Sequence, residues 1–331
     1  MGLSPRQLEA IAYYESHYDI IVDYPLIADH PARLADHGDG SQRRCRFCNR
    51  TSPMVSFAND AHAIPEFLGN RSIISMNECD ACNTFLADQY EDHLAKWFGP
   101  LRTVSQIQGK NGVPTYQDKK KEHGGRIRIE MGDQGLHFSI VDADLIGQLA
   151  GGAPIAFSLP IDTPCQPYIP IRAAMALVKA ACSVCPQDEL KQCKVAVDWL
   201  MGRVRARASM FPVLHAFTPG PNPYVTGKIM LLRRKTDEPI PYLWCIIATA
   251  NFRFQFFVPF CENDGWLKNG GESTFQTRHF PVPFDDDWPY GKTEFSVFDW
   301  SGIEPVVKRP HVTLNVDRAE LVKGLDNRDS V

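Results

Sequence analysis

Four cysteines in two short pairs are the residues of this chain most able to do chemistry. Cys45-Arg-Phe-Cys48 and Cys79-Asp-Ala-Cys82 are each C-x-x-C. Two such pairs build a tetrahedral zinc site, because each pair supplies one edge of the tetrahedron. Four thiolates fill the coordination sphere, so the metal is expected to be structural, a Zn²⁺ with no position open to water or substrate. Between the pairs lies His62, in the run Ala61-His62-Ala63-Ile64-Pro65-Glu66. Directly after the second pair comes Asn83. A metal staple would bring Asn83 back towards His62, and a histidine beside a polar oxygen donor is a catalytic layout as well as a structural one.

The segment Cys45–Pro100 resembles the HNH endonucleases, in the subset whose ββα-metal fold is pinned by paired C-x-x-C knuckles. The residues that carry the resemblance are Cys45 and Cys48, the run Ala61–Asn70 (AHAIPEFLGN) and the run Glu78–Phe85 (ECDACNTF). The resemblance implies a phosphodiesterase acting on DNA. It implies that His62 is the general base that takes a proton from the attacking water, a task suited to a neutral imidazole. It also implies a second, hard divalent cation, usually Mg²⁺, which stabilises charge on the phosphorane and the leaving oxygen. Asn83 is then a ligand of that cation, the favoured reading; the alternative from its residue type alone is a helix N-cap. Many family members carry an acid or histidine immediately before the base, where this chain has Ala61. Asp60 substitutes for it if the strand bulges, and Glu91, at the distance where related chains show an acid, is the preferred ligand. His62 as a residue that only packs against the knuckles is the bland alternative.

Arg43, Arg44, Arg46, Arg50 and Arg71 surround the knuckles in sequence, and Lys119-Lys120-Lys121 follows further on. These read either as contacts to nucleic-acid phosphates or as ordinary solvated charge. The chain has 331 residues, 44% of them apolar, and a formal net charge of −4. That balance argues against bulk coating of nucleic acid and leaves room for a local basic groove. No apolar run is long enough to span a membrane, and the first residues lack an apolar signal core. A reducing, cytoplasmic setting is expected, in which the ten cysteines stay free for metal or for the core. Cys182-Ser-Val-Cys185, with Cys193 nearby, reads as core cysteine on adjacent helices or as a further metal site.

The elements that must position the site follow from pattern. Ser4-Pro5-Arg6-Gln7 is a helix start with a capping box. A helix is expected from Asn83 to about Phe98, ended by Gly99-Pro100. Residues 127–140 alternate around a turn as a hairpin. Ile171, Met175, Val178 and Cys182 have helical spacing, and so do Leu190, Cys193, Val197 and Leu200. Strands are expected at Met210–Ala216, Lys228–Arg233, Tyr242–Ala248, Phe252–Phe260 and Val312–Val316. Phe252–Phe257 would stack bases if exposed and pack a core if buried.

The expected fold class is α+β: a metal-stapled HNH module followed by a mixed, mostly antiparallel domain. The expected division is 1–41 (helix and connection), 42–100 (nuclease module), 101–124 (linker), 125–322 (regulation, specificity or dimerisation) and 323–331 (tail). Two hypotheses of function follow. One is a metal-dependent DNA endonuclease, by family analogy a bacterial restriction or antiphage effector, paired as a homodimer so that both strands are cut. The other is a non-catalytic, zinc-dependent nucleic-acid-binding module attached to a ligand- or partner-binding domain. In either, the C-terminal domain is a place for a small molecule or a modified base.

Overall fold

The computed structural model describes residues 3–36, 43–109, 111–117, 126–132, 135–141, 157–162, 165–205, 210–265, 277–283, 288–309 and 311–316. Its frame is a six-stranded antiparallel sheet in the order β1-β10-β11-β12-β9-β13. These strands are β1 (Tyr18–Pro25), β9 (Pro212–Phe217), β10 (Tyr224–Arg234), β11 (Leu243–Ala250), β12 (Phe252–Phe257) and β13 (Glu294–Asp299). The central strands β11 and β12 are buried along their whole length, which is the condition of a sheet covered on both faces.

Alternation along the strands divides the core in two. Cys245 and Ile247 of β11, with Ile229 and Leu231 of β10, face the larger core. Trp244, Ile246, Met230 and Leu232 face the smaller one, which is closed by Tyr14 and Tyr18. Tyr14 lies on α1 (Pro5–His17), whose Ser4 and Gln7 form the expected capping box. The aromatic run Phe252–Phe257 is core. Its three inward rings, Phe252, Phe254 and Phe256, join the larger cluster. On its other face Gln255 donates to the Tyr14 hydroxyl at 2.7 Å, and Arg253 donates to the Phe280 carbonyl.

The larger core holds the knuckles. Cys45, Phe47, Cys79, Cys82, Leu86, Leu94, Trp97 and Phe98 belong to one apolar cluster with the helix Pro170–Val184 and the sheet. Trp97 is the pivot, packed edge-on against Phe98, Phe254 and Trp300 with centroids 5.1, 5.4 and 5.5 Å apart. Polar ties cross the same boundary: Thr249 Oγ1 donates to the Leu68 carbonyl at 2.6 Å, and Tyr90 Oη to the Leu200 carbonyl at 2.6 Å.

Within the knuckle region, β2 (Ala32–Leu34) runs parallel to β4 (Ile73–Ser75), and β3 (Ala61–His62) pairs antiparallel with it. The helical stretch that follows begins at Asp80, three residues before the expected start. It comprises α2 (Asp80–Leu86), a π-helical turn (Ala87–Glu91) and α3 (Asp92–Phe98). Gly99 ends it at φ +48°, and a Cβ there would meet Cys165 Sγ at 2.6 Å. The short α4 (Pro100–Val104) comes next.

Helix α5 (Pro170–Val184) forms over the residues whose spacing predicts it, with Pro170 in its first turn, and nearly all of it is buried. The single helix expected through Leu190 and Leu200 is instead two: α6 (Gln187–Gln192) and α7 (Lys194–Leu200). They are separated by Cys193 at φ −101°, ψ 19°. The remaining described strands are β5 (Tyr116–Gln117), β6 (Arg126–Gly132) and β7 (Gly135–Val141), which form a three-stranded sheet around the expected hairpin. β8 (Phe157–Asp162) pairs with β14 (His311–Val316). Lys119, Lys120 and Lys121 and the tail 323–331 lie outside the described residues.

Candidate metal and catalytic site

The knuckles close on each other. The four sulfurs of Cys45, Cys48, Cys79 and Cys82 lie within 4.8 Å of one another. Cys48 Sγ is 3.8 Å from Cys79 Sγ, matching the edge of a tetrahedron whose sulfurs stand about 2.3 Å from a zinc ion. The first knuckle turns through Asn49 at φ +61°, a conformation asparagine tolerates. Its backbone is held by Cys45 N–H to the Arg50 carbonyl and Asn49 N–H to the Cys45 carbonyl, both 2.8 Å. A bond from the Arg46 N–H to the Asn77 carbonyl ties it to the second knuckle. A hydrogen bond from Cys82, the largest influence, pulls the Cys45 thiol down to about 5. The set therefore already favours one thiolate, and a dication would displace the remaining protons. The donor set fits a structural zinc, with no sulfur left over to open a catalytic position.

His62 ends the two-residue strand β3, opposite Ile74. Asn70, fully buried, fixes the connection to β4. Its amide donates to the Ile64 and Ile73 carbonyls, and its oxygen accepts from the Ser72 and Ile73 N–H groups. Asp80, at the first residue of α2, accepts from the Ala58 and Asn59 N–H groups at 3.0 Å each. It thereby pins the segment that leads into β3. His62 Nε2 is 3.4 Å from Glu66 Oε1, and Nδ1 is buried without a hydrogen-bond partner among the described residues. Burial lowers the imidazole's pKa; Glu66 opposes it, and the Lys179 charge lowers it further. The ring is therefore held neutral at neutral pH, the state a base requires.

Asn83 is the fourth residue of α2 and is half-buried. The N-cap of that helix is Cys79, so the capping role is overturned and its side chain is free of that duty. Asp60 lies just before β3 and has a partner of its own. The β3–β4 register shows no bulge, and the Asp60 carboxylate is exposed and clamped by Arg33 through two bonds of 3.0 Å. Glu91 closes the π-helical turn, its Oε1 3.3 Å from Lys179 Nζ.

The arginines separate by environment. Arg43, Arg44, Arg50 and Arg71 are exposed. Arg43 lines an open depression with Ser52, Pro53, Val55 and Phe57. Arg44 donates to the Asn49 carbonyl at 3.0 Å, and Arg71 to Gln108 Oε1 at 2.9 Å. Arg46 is not a phosphate contact. Its guanidinium is buried, pairs with Asp36, and donates to the Cys182, Ser183 and Cys185 carbonyls at the end of α5.

Cys182, Cys185, Cys193, Cys245 and Cys261 are buried core residues. Among the described residues the knuckle cysteines are the only metal-sized cluster of His, Cys, Asp or Glu.

Two residues of this region are given no role of their own by the sequence patterns. Glu78, the residue before the second knuckle, is buried, and desolvation pushes its carboxyl up to about 7 in spite of Lys179. Lys179 itself is fully buried. Burial works against its charge, but Glu78 and Glu91 outweigh that and hold its pKa above the ordinary range.

Residues 45–98 match the family model of an HNH endonuclease. The matched stretch contains both knuckles, His62, Asn83 and Glu91. No curated protein and no solved structure matches the chain. The match implies a nuclease-type function and a nucleic-acid substrate in general. Among the described residues no helix is long and apolar enough to cross a membrane.

Proposed function

We propose that the chain is a metal-dependent endonuclease that hydrolyses DNA phosphodiester bonds, with His62 as the general base. The observation that carries this reading is a half-buried imidazole held neutral by burial, inside the stretch that matches an HNH endonuclease and that also carries the four-sulfur cluster. His62 accepts the proton of the attacking water, and Glu66, 3.4 Å away, stabilises the imidazolium that results. The four cysteines hold structural Zn²⁺. Asn83 and Glu91 hold the catalytic cation, in our reading Mg²⁺, which when bound supplies charge stabilisation at the phosphorane and the leaving oxygen.

Asn83 and Glu91 are eight residues apart, which in a plain α-helix offsets them by about 80° around the axis. The π-helical turn that ends at Glu91 adds about one residue to the winding, so the spacing acts as about seven, which supports a reading with both side chains towards one face. Asp60, taken up by Arg33, is left out of the ligand set. Arg43, Arg44, Arg50 and Arg71 remain as the exposed guanidiniums that would meet phosphates. Restriction or antiphage defence is the setting that family analogy favours, with a homodimer to cut both strands.

Supercoiled plasmid incubated with the protein tests this. Nicked or linear product should form with Mg²⁺ or Mn²⁺ and should stop with a chelator of those ions. DNA that is bound yet uncut with every divalent ion tried would favour the non-catalytic binding module instead.

A further inference from the structure

We propose that Lys179 is a positioning residue of the nuclease site, an ammonium lent by helix α5 that fixes the backbone of His62 and the carboxylate of Glu91 relative to the second knuckle. Its Nζ donates to the His62 carbonyl at 2.9 Å and stands 3.3 Å from Glu91 Oε1 and 3.5 Å from Glu78 Oε2. An ammonium has three N–H donors. Here one donates to the strand that carries the base, while the charge pairs with the turn that carries the candidate cation ligand and with the residue that leads into Cys79. The inference rests on the nuclease reading, because it assigns a role to a contact with the proposed base.

Three features separate Lys179 from an ordinary core residue. Its neighbours on α5 are Ala173, Ala174, Ala176, Leu177, Val178, Ala180, Ala181 and Cys182, all buried. An apolar side chain at position 179 would continue that pattern and would avoid desolvating a charge, and replacing buried ions by apolar groups is commonly neutral or stabilising. Stability alone therefore does not account for a lysine here. Second, β3 is two residues long, so its ladder to β4 is a weak anchor for a base that must hold its direction; the bond to the His62 carbonyl is another. Third, Glu91 Oε1 stands 3.3 Å from the ammonium, which orients the carboxylate of the candidate cation ligand. Lys179 touches the backbone of the base and no reacting atom, so its role is positional.

The contact also explains why the knuckle region shares a core with α5. The site is completed by a side chain 117 residues downstream of His62.

The test uses the full chain with Lys179→Met and the double variant Glu78→Gln/Lys179→Met. The single variant leaves buried Glu78 and partly buried Glu91 without their cation and is the one at risk of misfolding. The double variant removes one of those charges together with the ammonium. Zinc content, circular dichroism and DNA affinity of the double variant are expected to match the parent within about threefold. Its single-turnover cleavage rate should fall about 10²-fold, the scale of an ångström-sized misplacement. The Mg²⁺ concentration for half-maximal rate should rise, because Glu91 is no longer held; a purely structural role would not move that value in a folded protein. Hydrogen exchange at residues 61–64 should accelerate. A folded double variant that cuts within threefold of the parent overturns the proposal, and so does unchanged exchange at residues 61–64. A parent that does not cut at all refutes the nuclease reading instead, while the exchange experiment still decides whether Lys179 anchors β3.

Discussion

Arg46 sits in the first knuckle, where an arginine reads as a phosphate contact, yet the structure gives it a different task. Its guanidinium lies under the end of α5, 2.7 Å from the Cys182 carbonyl, 2.6 Å from that of Ser183 and 3.3 Å from that of Cys185. The last carbonyls of a helix have no partner within it, and a cation at that end also meets the negative pole of the helix dipole. The same guanidinium pairs with Asp36, and the two side chains are only 4% and 9% exposed. Arg46→Met keeps much of the volume and removes every one of these bonds. Charge-assisted hydrogen bonds contribute about 1.5–3 kcal/mol each, but here they share one guanidinium, so they are not summed. Breaking one partner of a buried pair costs about 3–5 kcal/mol, and that range is the predicted loss, a large part of the roughly 5–15 kcal/mol that stabilises a folded protein. Equilibrium urea unfolding reads it as a lowered midpoint. Arg50→Ala, at an exposed position of the same knuckle, should stay within about 0.5 kcal/mol of the parent. Under folding conditions Arg46→Met should keep its DNA affinity. A variant that unfolds like the parent but binds DNA more weakly would return Arg46 to the surface and refute the capping argument.

Cys79→Ser should lower zinc from about one ion per chain and unfold the 45–98 region, since structural zinc supplies about 10–16 kcal/mol of apparent binding in small zinc domains; a zinc-free chain with native circular dichroism would contradict this. Burial holds His215 down at about 3. Above pH about 6.5 its imidazole is neutral in both folded and unfolded chains. As the pH falls below that, only the unfolded chain takes up the proton, and stability drops until the folded value is reached. By pH 4.5 the loss from this one group is about 3 kcal/mol, and His215→Phe should flatten that acid limb; an equally steep limb in the variant would contradict it. Arg43→Ala and Arg71→Ala should each weaken DNA binding and reduce the slope of log affinity against log salt by about one unit; unchanged slopes would place the DNA elsewhere.

Local signals were legible in the sequence. Two C-x-x-C pairs predict the sulfur cluster because cysteine chemistry and spacing are sufficient for it. Ser4, Pro5 and Gln7 predict the start of α1, and the spacing of Ile171, Met175, Val178 and Cys182 predicts α5, because caps and helical periodicity are properties of neighbouring residues. What depends on distant partners was not legible. No strand is expected within 1–41, where β1 lies: its partner β10 is some two hundred residues downstream, and strand formation follows its cross-strand neighbours more than its own composition. Cys193 continues an apolar stripe, so nothing in the stripe signals that the chain breaks into two helices there. Arg46 and Lys179 are charges whose partners come from opposite ends of the fold. Arg46 looks like surface charge beside a knuckle, and Lys179 looks like an interruption of an apolar helix. The π-helical turn at Ala87–Glu91 leaves no mark in the sequence, yet it sets which side chains of that stretch point the same way.

The central claim is that His62 is the base of a nuclease, and one comparison tests it most directly. Single-turnover cleavage of a DNA duplex by the parent and by His62→Ala is to be measured at matched zinc content, saturating Mg²⁺ and saturating enzyme. Removing a positioned base costs about 10²–10⁴-fold in rate. The variant should show a loss of that size, with its zinc, fold and DNA affinity intact. Cleavage by His62→Ala at the parent's rate, by protein free of contaminating nuclease, would contradict the assignment.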